Sequence, residues 1–196
     1  PSPGDAGSAL GAAALVRKRK LEWRGPYLGT PILGPVNARE IIAELNRTKI
    51  VGIASGRAEF GPRALGNRSL LADPRDSNIK DAINDIKRRQ KFRPFAPAIL
   101  EEYATEYFDG PMNEYMQFVA KAKHDHSSVT HVDGTARVQV VKKGCGSSIR
   151  QILEEWDEST GCPMLLNTSL NIKGKPMVNT KEDAEEFSRL YNVAVF

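Results

Sequence analysis

The sequence predicts an α/β fold. Short apolar stretches of strand length alternate with segments whose apolar residues recur at helical spacing, and there is no internal repeat. The composition is that of a folded globular protein, with 40% hydrophobic and 27% charged residues among 196. These values exclude wholesale disorder, collagen and coiled coil.

The first part of the chain is predicted to contain two helices, a linker and a strand. The alanine-rich residues 8–20 have high helix propensity and end in four basic residues, which suit a helix C-terminus. Residues 23–36 contain three glycines and three prolines and are predicted to be a linker. Asn37 is placed to cap a helix that continues to about Arg47, and the apolar residues 50–54 form a strand.

The rest of the chain continues the alternation after a glycine-rich loop at residues 55–67. Asp76 or Ser77 is placed to cap a helix with an apolar face, and Pro94 and Pro97 prevent its continuation past Phe92. The further predicted strands are residues 98–100, 116–121, 137–141 and 164–167, and the further helices are residues 101–108, 147–158 and 183–191.

Charge and cysteine usage narrow the function classes. The net charge is +4 and the isoelectric point is about 9.1. Two cysteines without C-x-x-C spacing exclude a disulfide scaffold and a cysteine-based zinc site. The longest apolar run falls short of the roughly 18 residues of a membrane span, and the N-terminus lacks a secretory pattern, so we expect a cytoplasmic protein without a membrane partner.

The first motif with chemical potential is GRAEFGPRALGNRS at residues 56–69. Glycines let backbone amides approach a ligand, and guanidinium groups match phosphate oxygens, so the segment suits a phosphate cradle. It lacks Walker and dinucleotide-binding spacing. The alternative is a solvated turn with surface arginines.

The second motif is KRRQKFRPFAP at residues 87–97, with five basic residues among the first seven. If the chain is extended after Ile86, Lys87, Arg89 and Lys91 share one face. A solvated face or a nucleic-acid patch is the alternative. The neighbouring prolines and aromatic residues stiffen the segment, which favours a binding site.

Two further motifs begin or end predicted strands. In HVDGTARVQ, residues 131–139, Arg137 lies at a strand start, where a rigid backbone suits phosphate recognition, and a metal shared by His131 and Asp133 is disfavoured. Residues 167–169, Asn-Thr-Ser, follow an apolar strand at a position where ligands of open α/β sheets commonly bind. An Asx or Ser/Thr turn is the alternative there. No cysteine or histidine has a partner at a spacing that indicates a nucleophile.

Together these motifs resemble the O-carbamoyltransferases of the nodulation and antibiotic-tailoring type. The matching stretches are EFGPRALGNRS, FRPFAP, HVDGTARVQ and NTS, in that order. In that family an actin/Hsp70-like domain precedes a smaller YrdC-like domain, a twisted mixed sheet with flanking helices. The resemblance implies that residues 1–24 are the tail of the first domain and residues 25–196 are the second. It also maps a metal-binding aspartate of the first domain onto Asp5.

The resemblance implies a two-step reaction. ATP and carbamoyl phosphate form carbamoyl-adenylate, and the carbamoyl group then passes to a hydroxyl of a sugar or natural-product acceptor. Lys87 and Arg89 are expected to bind phosphates, with Arg63 and Arg137 closing over them. The expected orienting residues are Asn167, Thr168 and Ser169, and the second choices for ligand binding are Arg93 and Arg68. Arg68 is also placed to form a structural ion pair with Asp73 or Glu59.

The implied cofactors are ATP with Mg²⁺, and Fe²⁺ or another divalent metal in the upstream domain. The implied partners are the two small substrates, the acceptor and the upstream domain, so the isolated chain is expected to lack the complete transfer activity. The alternative from another class is a non-catalytic, basic RNA-binding module of YrdC-like fold. Basic residues that coincide with glycine loops and strand ends favour a compact pocket over a nucleic-acid surface.

Overall fold

The structure, a computed structural model, describes residue 2, residues 4–124 and residues 126–196, with Asp5 described by its backbone alone. Within these residues there are six α-helices and ten β-strands. The helices are α1 (Asp5–Arg17), α2 (Ala38–Thr48), α3 (Ile79–Ile86), α4 (Ala104–Tyr107), α5 (Ile149–Thr160) and α6 (Lys181–Tyr191). The strands are β1 (Tyr27–Ile32), β2 (Ile50–Ala54), β3 (Gly56–Glu59), β4 (Arg68–Ala72), β5 (Ala96–Leu100), β6 (Phe108–Asp109), β7 (Ala120–Ala122), β8 (Thr135–Ala136), β9 (Gln139–Val141) and β10 (Met164–Ser169). None of these helices is long and apolar enough to cross a bilayer.

A twisted, mixed five-stranded sheet forms the centre of the fold, in the order β2-β4-β10-β5-β9. All neighbouring strands of this sheet are antiparallel except β5 and β9, which are parallel to each other. The last residues of the chain extend the sheet beside β2, where the Gly52 amide donates to the Ala194 carbonyl at 2.8 Å. The predicted α/β class, with a mixed sheet and flanking helices, is confirmed.

Helices α2 and α5 pack against each other and against the central sheet. Their apolar faces are fully buried, and the Trp156 indole N–H of α5 donates to the Met164 carbonyl at the start of β10 at 3.1 Å. Burial of these faces supplies the main hydrophobic stabilisation of the sheet. The packed sheet therefore holds the ends of the loops that connect its strands in fixed positions.

The bounds of α2 and β2 confirm the sequence prediction, and Asn37 caps α2 by accepting a hydrogen bond from the Glu40 amide. The linker predicted at residues 23–36 is wrong, because it contains β1. This strand pairs with β3, which lies inside the predicted loop at residues 55–67. Pro31 is tolerated in β1 because the strand lies at an edge, where a missing amide donor breaks no second ladder.

Several other expectations differ from the structure. The strand predicted at residues 137–141 begins at Gln139, so Arg137 lies between β8 and β9 and not at a strand start. Helix α1 begins and ends three residues earlier than predicted. Helix α3 has Asn78 at its N-cap without a side-chain cap, while Asp76 accepts from the Asn78 amide instead. The strand predicted at residues 116–121 shrinks to β7, because Met116 has a φ of 55°, which no strand accommodates.

The order of the central strands brings four chain segments to one end of the sheet. Strand β10 ends there, and β4 and β5, antiparallel to it, begin there. Strand β9 also begins there, because it is parallel to β5. Ser169 lies opposite Ser69, and Asn167 lies opposite Ala96. The loops that lead into β4, β5 and β9 therefore lie beside the last residues of β10.

Candidate functional site

Two adjoining clefts lie at this end of the sheet. The inner cleft, of about 420 Å³, is lined by Pro62, Arg63, Ala64, Arg89, Arg93, Pro94, Phe95, Ala96, Met116, Val119, His131, Arg137, Asn167, Thr168 and Ser169. The outer cleft, of about 690 Å³, is lined by Lys87, Arg88, Arg89, Gln90, Arg93, Ser169, Asn171, Lys173 and Gly174. They share Arg89, Arg93 and Ser169. All four sequence motifs contribute to the inner cleft.

The structure brings eight of the predicted site residues together. Those of the inner cleft alone are Arg63, Arg137, Asn167 and Thr168; those shared by both clefts are Arg89, Arg93 and Ser169; and Lys87 lines the outer cleft. Arg68 lines neither cleft. The side chain of Asp5, the predicted metal ligand, lies outside what the structure describes.

Arg63 lies on a loop that a buried carboxylate organises. Glu59 Oε1 accepts hydrogen bonds from the backbone amides of Leu65 at 2.7 Å, Asn67 at 2.8 Å and Arg68 at 3.3 Å. Burial raises the pKa of Glu59, and these amides act against that shift. Three donors on one oxygen fix the loop that carries Arg63. Glu59 belongs to the first sequence motif, but its role in fixing this loop was not predicted.

Lys87 lies at the C-terminus of α3, and its ammonium group is buried between two polar residues. It donates to the Ser169 carbonyl at 2.6 Å and to Asn171 Oδ1 at 2.7 Å, and the residue is 8% exposed. Burial, together with the positive charges of Arg89 and Arg93, lowers the pKa of Lys87 to about 7. Lys87 therefore loses its proton more readily than an ordinary lysine.

Arg89 reaches the cleft because the chain turns sharply after α3. Arg88 has a φ of 47°, in the left-handed region, so the extended run predicted after Ile86 is wrong. Arg89 Nε donates to Asn84 Oδ1 at 2.6 Å, and its guanidinium lies 4.3 Å from the centroid of the Phe95 ring. Burial, followed by the charges of Arg93 and Arg137, lowers the pKa of Arg89 to about 10.

Lys91 does not share the face of Lys87 and Arg89, contrary to the prediction. It is exposed and forms ion pairs with Asp81 and Asp85 on α3. The buried Asn84 shapes this turn, because its Nδ2 donates to the carbonyls of Lys91 and Arg93. Asn84 was missed in sequence analysis. Its only indication was a polar residue beside Ile83 on an otherwise apolar helix face.

The cations of the two clefts have no acidic partner. Among the residues that the structure describes, none of Lys87, Arg63, Arg89, Arg93 and Arg137 lies within 4.0 Å of a carboxylate. Burial and then Arg63 lower the pKa of Arg137 to about 10. Arg89 Nη2 and Arg137 Nε are buried without a hydrogen-bond partner. These unpaired donors suit an anionic ligand.

Arg68 has a structural position, which corrects its prediction as a ligand-binding residue. Its side chain is fully buried, and burial lowers its pKa while the charge of Glu59 raises it. It donates to the backbone carbonyls of Thr30, Ser55, Gly56, Asn67 and Asn179. Of the two ion-pair partners predicted for it, Asp73 pairs with Lys49 and Arg75 instead, whereas the charge of Glu59 does act on Arg68.

His131 lines the inner cleft and was not predicted as a site residue. Thr135 Oγ1 donates to Asp133 Oδ1 at 2.7 Å, so it accepts at 2.9 Å from His131 Nδ1. This series of hydrogen bonds places the proton of neutral His131 on Nδ1 and leaves Nε2 as an acceptor. Burial lowers the pKa of His131, and Asp133 acts against that shift.

The donors of the clefts fit phosphate groups better than they fit a metal. Guanidinium, ammonium and hydroxyl groups predominate, and within the described part of the chain no three His, Cys, Asp or Glu residues cluster at a distance that suits a metal ion. The site therefore has the chemistry to bind a polyanion.

The fold and the clefts define a mixed α/β domain with a cationic cleft at one end of its sheet. The chain belongs to the carbamoyltransferase C-terminal family: the family model described as Carbamoyltransferase C-terminus matches residues 42–195. This match confirms the family resemblance predicted from the four motifs.

Curated relatives and solved structures agree with this assignment. The chain is 38% identical to nodulation protein NolNO of Sinorhizobium fredii, covering 94% of this chain and 32% of that protein. It is 36% identical to nodulation protein U of Rhizobium tropici, covering 98% of this chain and 37% of that protein. The chain thus spans about a third of the length of these relatives.

The fold also matches two HypF crystal structures. One is full-length HypF in the phosphate- and nucleotide-bound form, with a TM-score of 0.56 and 16% identity over 83% of this chain and 20% of that one. The other is T. kodakarensis HypF, with a TM-score of 0.54 and 20% identity over 87% of this chain and 21% of that one. At these identities the matches establish a shared fold.

The position of Arg68 predicts that Arg68→Met lowers the free energy of unfolding by about 3–5 kcal/mol, because several buried carbonyls lose their donor. Arg57→Met is the matched control, since the exposed Arg57 donates to the Leu28 carbonyl alone, and it should cost less than about 1 kcal/mol. Urea denaturation measures both. A stable Arg68→Met protein with weakened binding of tripolyphosphate contradicts the structural role.

The lowered pKa of Lys87 predicts a pH-dependent stability. Between pH 7 and the ordinary lysine pKa of 10.5, the unfolded chain binds more protons than the folded one, so this group makes the free energy of unfolding rise with pH in that window. Denaturation at several pH values should show the rise in the wild type and its loss in Lys87→Met. A rise of equal size in both proteins contradicts the assignment.

Proposed function

We propose that this chain provides the site at which ATP and carbamoyl phosphate form carbamoyl-adenylate. In the longer protein the carbamoyl group then passes to a hydroxyl of a sugar or natural-product acceptor. The observation that carries the proposal is the set of seven cations that line the adjoining clefts, none of which is paired with a carboxylate of the described residues. Two polyanions can approach each other only where such charge offsets their repulsion.

The proposed roles follow from the position of each side chain. Lys87 and Arg89 bind phosphates across the boundary between the clefts, and Arg63 and Arg137 face them from the inner cleft. Thr168 and Ser169 offer hydroxyls at the end of β10, with Arg93 beside them. Held by the sheet, these groups stabilise charge by position and need no protein nucleophile.

ATP, when bound, supplies the adenylyl group and the pyrophosphate leaving group. The residues fit it, because Arg89 Nη2 and Arg137 Nε are buried donors that lack acceptors. Mg²⁺ is proposed to enter with the nucleotide. A divalent metal such as Fe²⁺, with Asp5 among its ligands, belongs to the proposal for the upstream domain.

Two comparisons support the proposal. The relatives are nodulation proteins about three times as long as this chain, which favours a further, upstream domain in the same polypeptide. A cytoplasmic location and small substrates belong to the same proposal. The HypF structure of matching fold is described as phosphate- and nucleotide-bound. The alternative, a basic RNA-binding module, is disfavoured because the unpaired cations line clefts.

The test is incubation of the chain with ATP and carbamoyl phosphate, followed by mass detection of carbamoyl-adenylate and measurement of pyrophosphate. Arg89→Ala should weaken ATP binding about 10- to 100-fold, because charge-assisted hydrogen bonds to phosphate are lost. Lys91→Ala is the control, since Lys91 is a nearby cation paired with α3, and it should change affinity less than about twofold.

Three results contradict the proposal. Equal losses in Arg89→Ala and Lys91→Ala indicate a diffuse electrostatic surface. If the wild type forms neither carbamoyl-adenylate nor pyrophosphate, the proposed reaction does not occur at this site. Tight binding of single-stranded RNA that weakens steeply with salt, without ATP competition, favours the RNA-binding alternative.

A further inference from the structure

A buried asparagine organises the turn that carries Arg89. Asn84 lies on α3 and is fully buried. Its Nδ2 donates to the Lys91 carbonyl at 3.2 Å and to the Arg93 carbonyl at 3.3 Å. Its Oδ1 accepts from Arg89 Nε at 2.6 Å, and its backbone carbonyl accepts from the Arg89 amide at 3.0 Å. Residues 87–93 therefore fold around this one side chain.

The two backbone carbonyls fix the direction of the Asn84 amide. A carbonyl oxygen only accepts, so the carbonyls of Lys91 and Arg93 require the Nδ2 end, which has two N–H groups to donate. The Oδ1 end is thereby directed at Arg89 Nε. Reversing the amide would set an oxygen against both carbonyls and two donors against each other. The direction of the amide therefore determines where the Arg89 guanidinium lies.

An aromatic ring holds the same guanidinium on a second side. Phe95 is buried, and the centroid of its ring lies 4.3 Å from Arg89 Cζ. Because Asn84 occupies Nε, a ligand meets Arg89 at its terminal nitrogens. One of these, Nη2, is buried and has no hydrogen-bond partner among the described residues. A neutral amide and a ring thus hold the arginine and leave its positive charge to an anion.

We infer that Asn84 is a positioning residue for phosphate binding, which acts by presenting the terminal nitrogens of Arg89 to an anion in the clefts. Asn84 lines neither cleft, so it acts through Arg89 and not by contact with the ligand. The inference rests on the proposed function, since it takes a polyphosphate as the ligand. It goes beyond that function by making the orientation of Arg89, in addition to its charge, a determinant of affinity.

A double-mutant cycle on the affinity for inorganic tripolyphosphate, measured by calorimetry, tests this inference. Asn84→Leu keeps roughly the volume of the side chain but removes its hydrogen bonds. It should weaken binding about 10-fold, because the guanidinium loses its fixed position. In an Arg89→Ala background the same substitution should cost less than about threefold, because the residue through which Asn84 acts is absent. A role in the stability of the fold alone would give equal losses in both backgrounds.

Asn78→Leu is the matched control, because Asn78 is an exposed asparagine at the N-cap of α3 whose side chain does not cap the helix. It should change the affinity less than about twofold. Arg89→Lys keeps the test informative if Asn84→Leu does not fold, since it retains the positive charge and leaves Asn84 in place. Lysine lacks the planar fork that Asn84 and Phe95 hold, so this variant should lose at least about 10-fold in affinity.

Three results overturn the inference while the proposed function stands. They are wild-type affinity in folded Asn84→Leu, equal losses from this substitution in the two backgrounds, and wild-type affinity in Arg89→Lys. Failure of the wild type to bind both tripolyphosphate and ATP overturns the proposed function itself.

Discussion

Repulsion among cations is the constraint on which the site depends. Seven positive side chains line two small clefts, and the fold holds Lys87 and Arg89 among them with neutral oxygens and an aromatic ring in place of carboxylates. Lys87 donates to a carbonyl and an amide, and Arg89 lies between Asn84 and Phe95. Carboxylates would satisfy the charges internally and compete with a ligand. Neutral acceptors position the cations and leave their charge available to an anion.

The lowered pKa values of Lys87, Arg89 and Arg137 are the measurable consequence of that constraint. Each expresses free energy that a bound anion recovers, since an opposite charge nearby favours the protonated form. The rest of the fold keeps the groups in place. Glu59 holds one loop by three amides, and Arg68 joins several carbonyls from distant segments. These two buried charged residues organise the backbone around the site.

Most of the residues that line the clefts could be predicted from the sequence, but the turns and hydrogen bonds that bring them together could not. Strand β2 and helix α2 have clear apolar patterns and a cap at Asn37, so their bounds were predictable. Strand β1 was not predicted because its glycine and proline content is typical of a linker. Its strand conformation depends on pairing with β3, which is a tertiary contact. The turn at Arg88 and the role of Asn84 depend on side-chain hydrogen bonds to carbonyls seven and nine residues along the chain, which no local pattern specifies. Arg68 was misassigned because composition does not distinguish a buried arginine from one in a cleft.

The most direct measurement is a crystal structure of the chain grown with ATP. The account predicts phosphate oxygens within hydrogen-bond distance of the guanidinium groups of Arg89 and Arg137, with Lys87 facing the same phosphates. A nucleotide bound elsewhere, such as the groove between α6 and the C-terminal residues, with both clefts free of phosphate, would contradict it.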